Sequence, residues 1–388
     1  MSLHFPTYFQ GSLRREIREL YGSVGFLTFA VSAIQLFEAA YLYALGYSLR
    51  QIMLFWLIVY LLDLVLLPLG AIVALRHGYE HAMLYSSFFM VLYFMTLVLL
   101  PGLHILFFVA PVFLAVQKAL YWPAYHADCA TYMNPKDEGG EIAMMRAIAV
   151  IASILGPVFG GIMIATVGFT ALFVLVCVLI VCSNLPLLST REVVVAKTER
   201  FRSFYLHWLA PERRRNLFAY VGFGEAVVDV VVWPIFLMLA LSSYLSTGIL
   251  FSGATLLTAL LMLWIGRVTD HVHRVRFLRW SAVVTAMSWL LRPLGIAPLH
   301  FFAFDTFGRF SRESLGIPLL SLTYDDAKNH DLMHTIVNYQ LSLAFGKALS
   351  AFALFVLFSV TSTMTHAFFI AAGFSLLFTL WKPTPAPS

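Results

Sequence analysis

Long apolar stretches follow one another along almost the whole chain, and only short polar segments separate them. Most stretches have about 20 residues, the number that a helix needs to cross the roughly 30 Å hydrocarbon core of a bilayer. Backbone amides in that core must find partners within the protein, which restricts a spanning chain to helices or a closed barrel. Because the stretches lack the apolar–polar alternation of barrel strands, the sequence predicts helices.

Composition agrees with a membrane protein. Hydrophobic residues make up 61% of the chain and charged residues 12%, whereas a soluble domain carries roughly 25% charged residues. The first apolar stretch, 21–46, is too long for the core of a cleavable signal. Cys129, Cys177 and Cys182 show no paired spacing, so neither a disulfide, a metal site nor a cofactor is expected.

Twelve transmembrane spans fit the length of the chain. In order, we place them over 20–45, 51–75, 81–100, 102–124, 141–165, 167–188, 215–241, 244–265, 279–296, 298–319, 332–358 and 363–381. The expected fold is an all-α membrane protein of about twelve transmembrane helices. The bilayer is its principal partner, and a monomer is expected.

Basic residues are distributed unevenly between the two sides of these spans. Of the 25 lysines and arginines, 19 fall on the side of the N-terminus, and only Arg50 and Arg292 lie at span ends on the other side. Because cytoplasmic loops carry an excess of Lys and Arg, this places both termini in the cytoplasm and the protein in the inner or plasma membrane. The same asymmetry explains the pI of about 9.1 without a nucleic-acid partner.

A charged loop divides the spans six and six. The predicted divisions are an N-terminal cytoplasmic segment 1–19, a bundle 20–188, a basic linker 189–214, a second bundle 215–382 and a cytoplasmic tail 383–388. Landmarks in the two halves recur 194 to 196 positions apart, in the pairs Gln35 and Asp229, Gly70 and Gly266, Pro123 and Pro318, and Phe173 and Phe369. Such an offset favours two parallel repeats of six helices.

Local motifs and this layout resemble the major facilitator superfamily. Gly266-Arg-Val-Thr-Asp270-His-Val-His-Arg274 keeps the glycine, the aspartate and a basic residue of the family's loop signature, and a degenerate copy begins at Gly70. In the fifth span, Gly156, Pro157, Gly160 and Gly161 are similar to the family's antiporter motif. We interpret these four residues as helix-packing positions, because small residues let helices approach closely.

The resemblance implies two six-helix bundles with pseudo-twofold symmetry, which rock about a central site and open it to either side in turn. In this layout the first and fourth helices of each half line the cavity, and the second and fifth form the interface between halves. Gly266, Asp270 and Arg274 would belong to an inner gate. The alternative for that loop is a solvated charged segment.

Polar and ionisable residues within the spans are few, and a charge in hydrocarbon usually faces a cavity or a partner. The candidates for binding solute and protons, on helices that the resemblance assigns to the cavity, are Gln35, Glu38, Lys118, Tyr121, Glu225, Asp229, Trp233, Asp305, Arg309 and Arg312. The alternative is that they only pair with one another and hold the bundle together.

Helical spacing groups several of these side chains. Gln35 and Glu38 are expected on one face of the first span, and Glu225 and Asp229 on one face of the seventh, close to Arg309 or Arg312. Asp305 and Glu313 offer those arginines partners within the tenth span. Glu38 has no cation nearby in its own span, which favours a functional role for it. The candidates for the carboxyl group that exchanges a proton are Glu38, Glu225 and Asp229.

Asp63 and Lys347 lie centrally in the second and eleventh spans, at similar depths. Because the resemblance packs these spans against each other, we predict an inter-bundle ion pair, or a pair that alternates with other partners during rocking.

These features predict a secondary active transporter that moves a small organic solute by alternating access, coupled to protons, rather than an enzyme. The alternative is a scaffold or sensor that keeps the transporter fold without transporting.

Overall fold

The computed structural model describes residues 15–132, 139–185, 199–269 and 274–382. Within these residues the chain is helical without β-strands, and a helix coincides with each of the twelve predicted spans. Numbered in chain order, they are helix 1 (Arg15–Gln35 and Glu38–Ala44), helix 2 (Leu49–His77), helix 3 (Tyr79–Leu99), helix 4 (Leu106–Tyr132), helix 5 (Gly139–Thr166), helix 6 (Phe169–Asn184), helix 7 (Arg214–Val221, Gly222–Gly224, Glu225–Val227, Val228–Val232 and Trp233–Leu241), helix 8 (Tyr244–Thr269), helix 9 (Arg274–Leu291), helix 10 (Pro298–Asn329), helix 11 (Leu332–Val360) and helix 12 (Thr365–Leu377).

Eight helices in the described part of the chain are long and apolar enough to cross a membrane, and helices 6 and 12 are shorter apolar segments. Helices 9 and 10 are not counted among these apolar helices because each carries several charged residues. Helix 9 begins with three arginines within its first six residues, and helix 10 carries the charged side chains of the cluster described below. Helices 2, 4, 8 and 10 all end on the same side of the bundle, and we call this side the linker end.

Short turns between helices have recognisable local causes. The Ser48 hydroxyl accepts a hydrogen bond from the backbone amide of Gln51, whose side chain accepts one from the Ser48 amide, a capping box that starts helix 2. Gly78 (φ 99°) and Gly168 (φ 97°) join helices 2 to 3 and 5 to 6 through a left-handed backbone that favours glycine. These turns leave neighbouring helices antiparallel.

Helices 1–6 and 7–12 form two bundles whose most extensive contacts are made by two helix pairs. Helix 2 packs against helix 11, and helix 5 packs against helix 8. These are the pairs that the family resemblance implies.

Glycines allow the closest of these approaches. A side chain on Gly160 would collide with the backbone of Ala33 in helix 1, and one on Gly161 with the backbone of Tyr244 in helix 8. From the other side, a side chain on Gly248 would collide with the Pro157 carbonyl. The small residues of the fifth span therefore hold helix 5 between its own bundle and the second one.

A short helix in the linker, Phe201–Trp208, lies against both halves. The Tyr205 hydroxyl donates a hydrogen bond of 2.7 Å to the Leu64 carbonyl of helix 2. The Trp208 indole donates one of 3.0 Å to the Ser342 hydroxyl of helix 11. The linker helix thus bridges the same two helices that meet at the interface between halves.

Candidate functional site

A cavity of about 290 Å³ lies between the two halves, along the middle of helices 2, 4, 7, 10 and 11. Charged and aromatic side chains from both halves line it. They are Asp63, Leu67, Lys118, Trp122 and His126 from the first half, and Phe223, Glu225, Ala226, Arg312, Tyr339, Gln340, Leu343, Ala344 and Lys347 from the second. Ligand pockets typically have volumes of roughly 300–1,000 Å³, so this cavity suits a small solute.

The first half contributes an ion pair to the cavity wall. Lys118 Nζ lies 2.8 Å from Asp63 Oδ2, and it also lies 4.4 Å from the centre of the Tyr60 ring. Asp63 is buried, and its second oxygen, Oδ1, has no hydrogen-bond partner among the described residues. Lys118 thus offsets the charge of Asp63 from within the same bundle.

Glu38 lies behind this pair, at a break in helix 1. The helix is interrupted between Gln35 and Glu38, and the second segment begins at Glu38. Its buried carboxyl group accepts a hydrogen bond of 3.0 Å from the Tyr93 hydroxyl of helix 3, and no basic group among the described residues lies within 4 Å of it. A buried carboxyl group with one neutral partner can exchange a proton without first breaking an ion pair.

The break separates Gln35 from Glu38, and the expectation that they share a face is wrong. Gln35 is exposed, whereas Glu38 is buried. The regular angular step of a helix does not continue across the interrupted turn. Gln35 is not among the residues that line the cavity.

In the second half, six charged side chains form a closed cluster of three acids and three arginines. Arg312 of helix 10 contacts Asp229 and lies 3.2 Å from Glu225 Oε1. Arg309 donates a hydrogen bond of 2.7 Å to Asp305, one helical turn earlier. The predicted contact between helices 7 and 10 is therefore present, and the cluster is neutral when all six groups are ionised.

Arg292 is the third arginine, and its position corrects the sequence analysis, which placed it at an outer end of a span. It is completely buried, and its Nη1 lies 3.3 Å from Asp229 Oδ1. Its guanidinium lies between the rings of Trp289 and Trp233, at 3.8 and 4.5 Å from their centres. Two indole faces and a carboxylate compensate for the lost hydration of the cation. Helix 9 ends one residue earlier, which turns this side chain back into the bundle.

Tryptophan side chains also complete the cluster as hydrogen-bond donors. The Trp233 indole donates to Asp305 Oδ1 at 2.8 Å, and the Trp289 indole donates to Glu225 Oε2 at 2.9 Å. Trp233 is fully buried and is not among the residues that line the cavity. The predicted site residue therefore supports the charged wall from behind.

Lys347 of helix 11 reaches the cavity without an ion pair. No carboxylate of the described residues lies within 4 Å of its Nζ, which lies 5.9 Å from the centre of the Tyr60 ring. The direct pair with Asp63 is thus absent in this conformation, in which Lys118 pairs with Oδ2 of that carboxylate. Both residues line the same cavity, as the alternating form of the prediction requires.

Two further predicted residues lie at the margin of the site. Tyr121 does not line the cavity, although it packs edge-on against Trp122, which does, at 5.2 Å between ring centres. Glu313 is exposed and takes no part in the charged cluster. It lies on a different face of helix 10 because it directly follows Arg312, a step of about 100° around the helix.

Towards the linker end, the two halves meet beyond the cavity. His126 Nδ1 of helix 4 and the Tyr324 hydroxyl of helix 10 are 2.7 Å apart and buried. Sequence reasoning missed this contact, because the two residues lie 198 positions apart and no spacing pattern links them.

The predicted inner gate is only partly described. Asp270 lies outside the described residues, and Gly266 belongs to helix 8. Arg274 forms an exposed ion pair of 3.0 Å with Asp325 of helix 10. The structure thus connects the start of helix 9 to helix 10.

Comparison with known proteins decides the family. The sequence model of the Major Facilitator Superfamily matches residues 20–245, more than half of the chain. The chain belongs to this superfamily. No curated protein matches this superfamily member. Membership confirms the family resemblance and identifies the protein as a multi-pass membrane protein of a transporter family.

Solved structures of transporters have the same fold as this superfamily member. A mutant of the nucleoside transporter NupG aligns with a TM-score of 0.70 at 12% identity, over 94% of this chain and 99% of the other. A mutant of the peptide transporter POT in complex with sulfate gives 0.70 at 13% identity, over 94% and 92%. At these identities the likeness concerns the fold alone, and it confirms the predicted twelve-helix architecture.

Proposed function

We propose that this protein is a secondary transporter that moves a small organic solute by alternating access, coupled to protons. The cavity between the halves carries the proposal. It lies where both bundles meet, and each bundle contributes charged groups to its wall. A solute bound there would touch both moving parts, so its binding could favour one arrangement of the halves over another.

Contacts between the halves exist on both sides of this cavity. The His126–Tyr324 contact lies towards the linker end. On the other side, the second segment of helix 1 packs against helix 7. Phe37, in the break of helix 1, also lies edge-to-face against Tyr244 at the start of helix 8, with 6.2 Å between ring centres. Alternating access requires that such contacts open in turn, and both are small enough to break and re-form.

Glu38 is the proposed proton-carrying group. It is buried and bonded to a neutral phenol, whereas Asp63, Glu225, Asp229 and Asp305 all contact a cation. An acid held by an arginine or a lysine is poorly suited to carry a proton, because protonation would abandon the ion pair. Glu38 avoids this penalty.

The test uses purified protein in liposomes with an imposed pH gradient and a library of labelled metabolites. Uptake of a solute that follows the gradient and saturates with concentration supports the proposal. A transport-independent change in stability upon solute binding, with no flux of that solute in either direction, would favour the scaffold or sensor.

Orientation and assembly belong to the same proposal. The excess of basic residues at the linker end supports cytoplasmic termini in the plasma membrane, and the separate bundles and central cavity support a functional monomer. Reporter fusions at both termini and light scattering of the purified protein test these statements.

A further inference from the structure

The cavity contains one positively charged side chain, Lys347, that no carboxylate of the described residues pairs with. Asp63 and Lys118 offset each other, and the six-residue cluster of the second half balances three acids with three arginines. Lys347 remains, because no carboxylate of the described residues lies within 4 Å of its Nζ. Glu38 is not among the lining residues, so an ionised Glu38 would not contact this amine.

An unmatched lysine near the middle of a membrane calls for a partner. Lys347 lies about halfway along the 29 residues of helix 11, where an ammonium group is expensive to keep without a counter-charge. The Tyr60 ring, 5.9 Å away, provides only a weak substitute. A ligand that brings an anionic group into the cavity would supply a negative charge for Lys347.

The other residues that line the cavity indicate the size and polarity of that ligand. Trp122, Phe223 and Tyr339 offer aromatic surface around the cavity, and Gln340 lies two helical turns from Lys347, on the same face of helix 11. A volume of about 290 Å³ holds a single ring with its substituents and excludes a long peptide.

We propose that the solute is a small organic anion with a flat apolar body, whose carboxylate binds Lys347. This inference rests on the proposed function, since it names the class of solute for the same cavity. Asp63 does not oppose it, because Lys118 already neutralises that carboxylate at 2.8 Å. Among the described charged residues that line the cavity, Lys347 is the one without an oppositely charged partner within 4 Å, and an anion would pair with it.

The experiment compares three probes of nearly identical shape: benzoate, benzamide and benzamidine, with charges of minus one, zero and plus one. Binding to the purified full-length protein is measured as ligand-dependent thermal stabilisation and by isothermal calorimetry. Benzoate is expected to bind at least tenfold more tightly than the other two, because a hydrogen bond to a charged group contributes about 1.5–3 kcal/mol. Lys347→Gln is expected to lose that preference, and Lys347→Arg to retain it.

Lys382→Gln serves as the matched control, because it removes one lysine charge at the exposed linker end. Its benzoate affinity should equal that of the unmodified protein. Preference for benzamide or benzamidine, absence of benzoate binding, or undiminished benzoate binding in Lys347→Gln would each overturn the proposal.

Transport assays separate this inference from the proposed function. Gradient-driven uptake of a neutral or cationic solute that persists in Lys347→Gln would reject the anion while keeping the transporter. Benzoate binding at Lys347 without flux of any solute would keep the anion site while rejecting transport.

Discussion

Lys118 of helix 4 and Asp63 of helix 2 form a buried ion pair, with 2.8 Å between Nζ and Oδ2. Removing one partner leaves an uncompensated charge in the interior, which commonly costs about 3–5 kcal/mol. We predict that Asp63→Asn and Lys118→Met each destabilise the protein by this order, and that the double variant loses much less than the sum. Unfolding in detergent measures all three. Additive losses would mean that the two residues do not stabilise each other.

Substitutions of Lys347 and Asp63 should affect each other in the rate of transport rather than in the stability of the protein. The two residues line one cavity without touching in this conformation, so an exchange of partners would occur only as the halves move. We expect Lys347→Met and Asp63→Asn to be non-additive in the rate of solute counterflow, and the charge-swapped double variant to recover part of that rate. Independent effects on counterflow would exclude the exchange.

Glu38→Gln is predicted to abolish proton-driven uptake while expression and solute counterflow persist. The amide keeps the shape of the side chain and can still accept a hydrogen bond from Tyr93, but it cannot carry a proton. Uptake is measured with and without a pH gradient. Tyr93→Phe is the companion variant, because it removes the hydrogen bond and leaves the carboxyl group, so coupling should persist. Undiminished proton-driven uptake in Glu38→Gln would show that another acid carries the proton.

Arg292→Met is expected to lower the stability by about 3–5 kcal/mol, because Asp229 loses one of its two arginine partners inside the bundle. The matched control is Arg274→Met, which breaks an exposed pair with Asp325 that contributes at most about 1 kcal/mol. Thermal unfolding of the two variants side by side gives the comparison. Equal effects would show that the burial of Arg292 carries no energetic weight.

Gly160→Ala should destabilise the protein by about 1–3 kcal/mol, because the added methyl group would collide with the Ala33 backbone. Gly373→Ala adds the same methyl group where no atom lies within 4 Å, and it should be tolerated. Both substitutions lie in helices, so their effects on helix propensity are similar. The difference in melting temperature between them isolates the packing contribution, and no difference would contradict the close contact.

Most of the fold could be predicted because membrane helices are encoded locally. The length and polarity of each apolar stretch place a helix, and the i, i+4 spacing of Asp305 and Arg309 yields a contact that the structure contains. Contacts between helices required more than local pattern. The neighbour of Asp63 is Lys118 because Gly70 lets the backbone of helix 4 approach at Ala119, and no spacing along the sequence reports that approach.

Two features of the site escaped sequence reasoning for identifiable reasons. Arg292 follows the last regular turn of helix 9 and resembles an interfacial arginine until Trp233 and Trp289 are seen on either side of it. A count of charges gave a hint, since the three acids Glu225, Asp229 and Asp305 outnumber the two arginines of helix 10. The break before Glu38 left no comparable sign, because neither glycine nor proline stands between Gln35 and Glu38.

The pairing of charges within each half has a consequence for biosynthesis. At about 5–20 residues per second, the ribosome completes Lys118 roughly 3–11 s after Asp63, but it reaches Lys347 only about 14–57 s after Asp63. If Asp63 depended on Lys347, a lone carboxylate would wait in the lipid while the second half was still being translated. Because Lys118 lies in the same bundle, the first half can enter the bilayer with this charge already neutralised. Insertion can then proceed one bundle at a time.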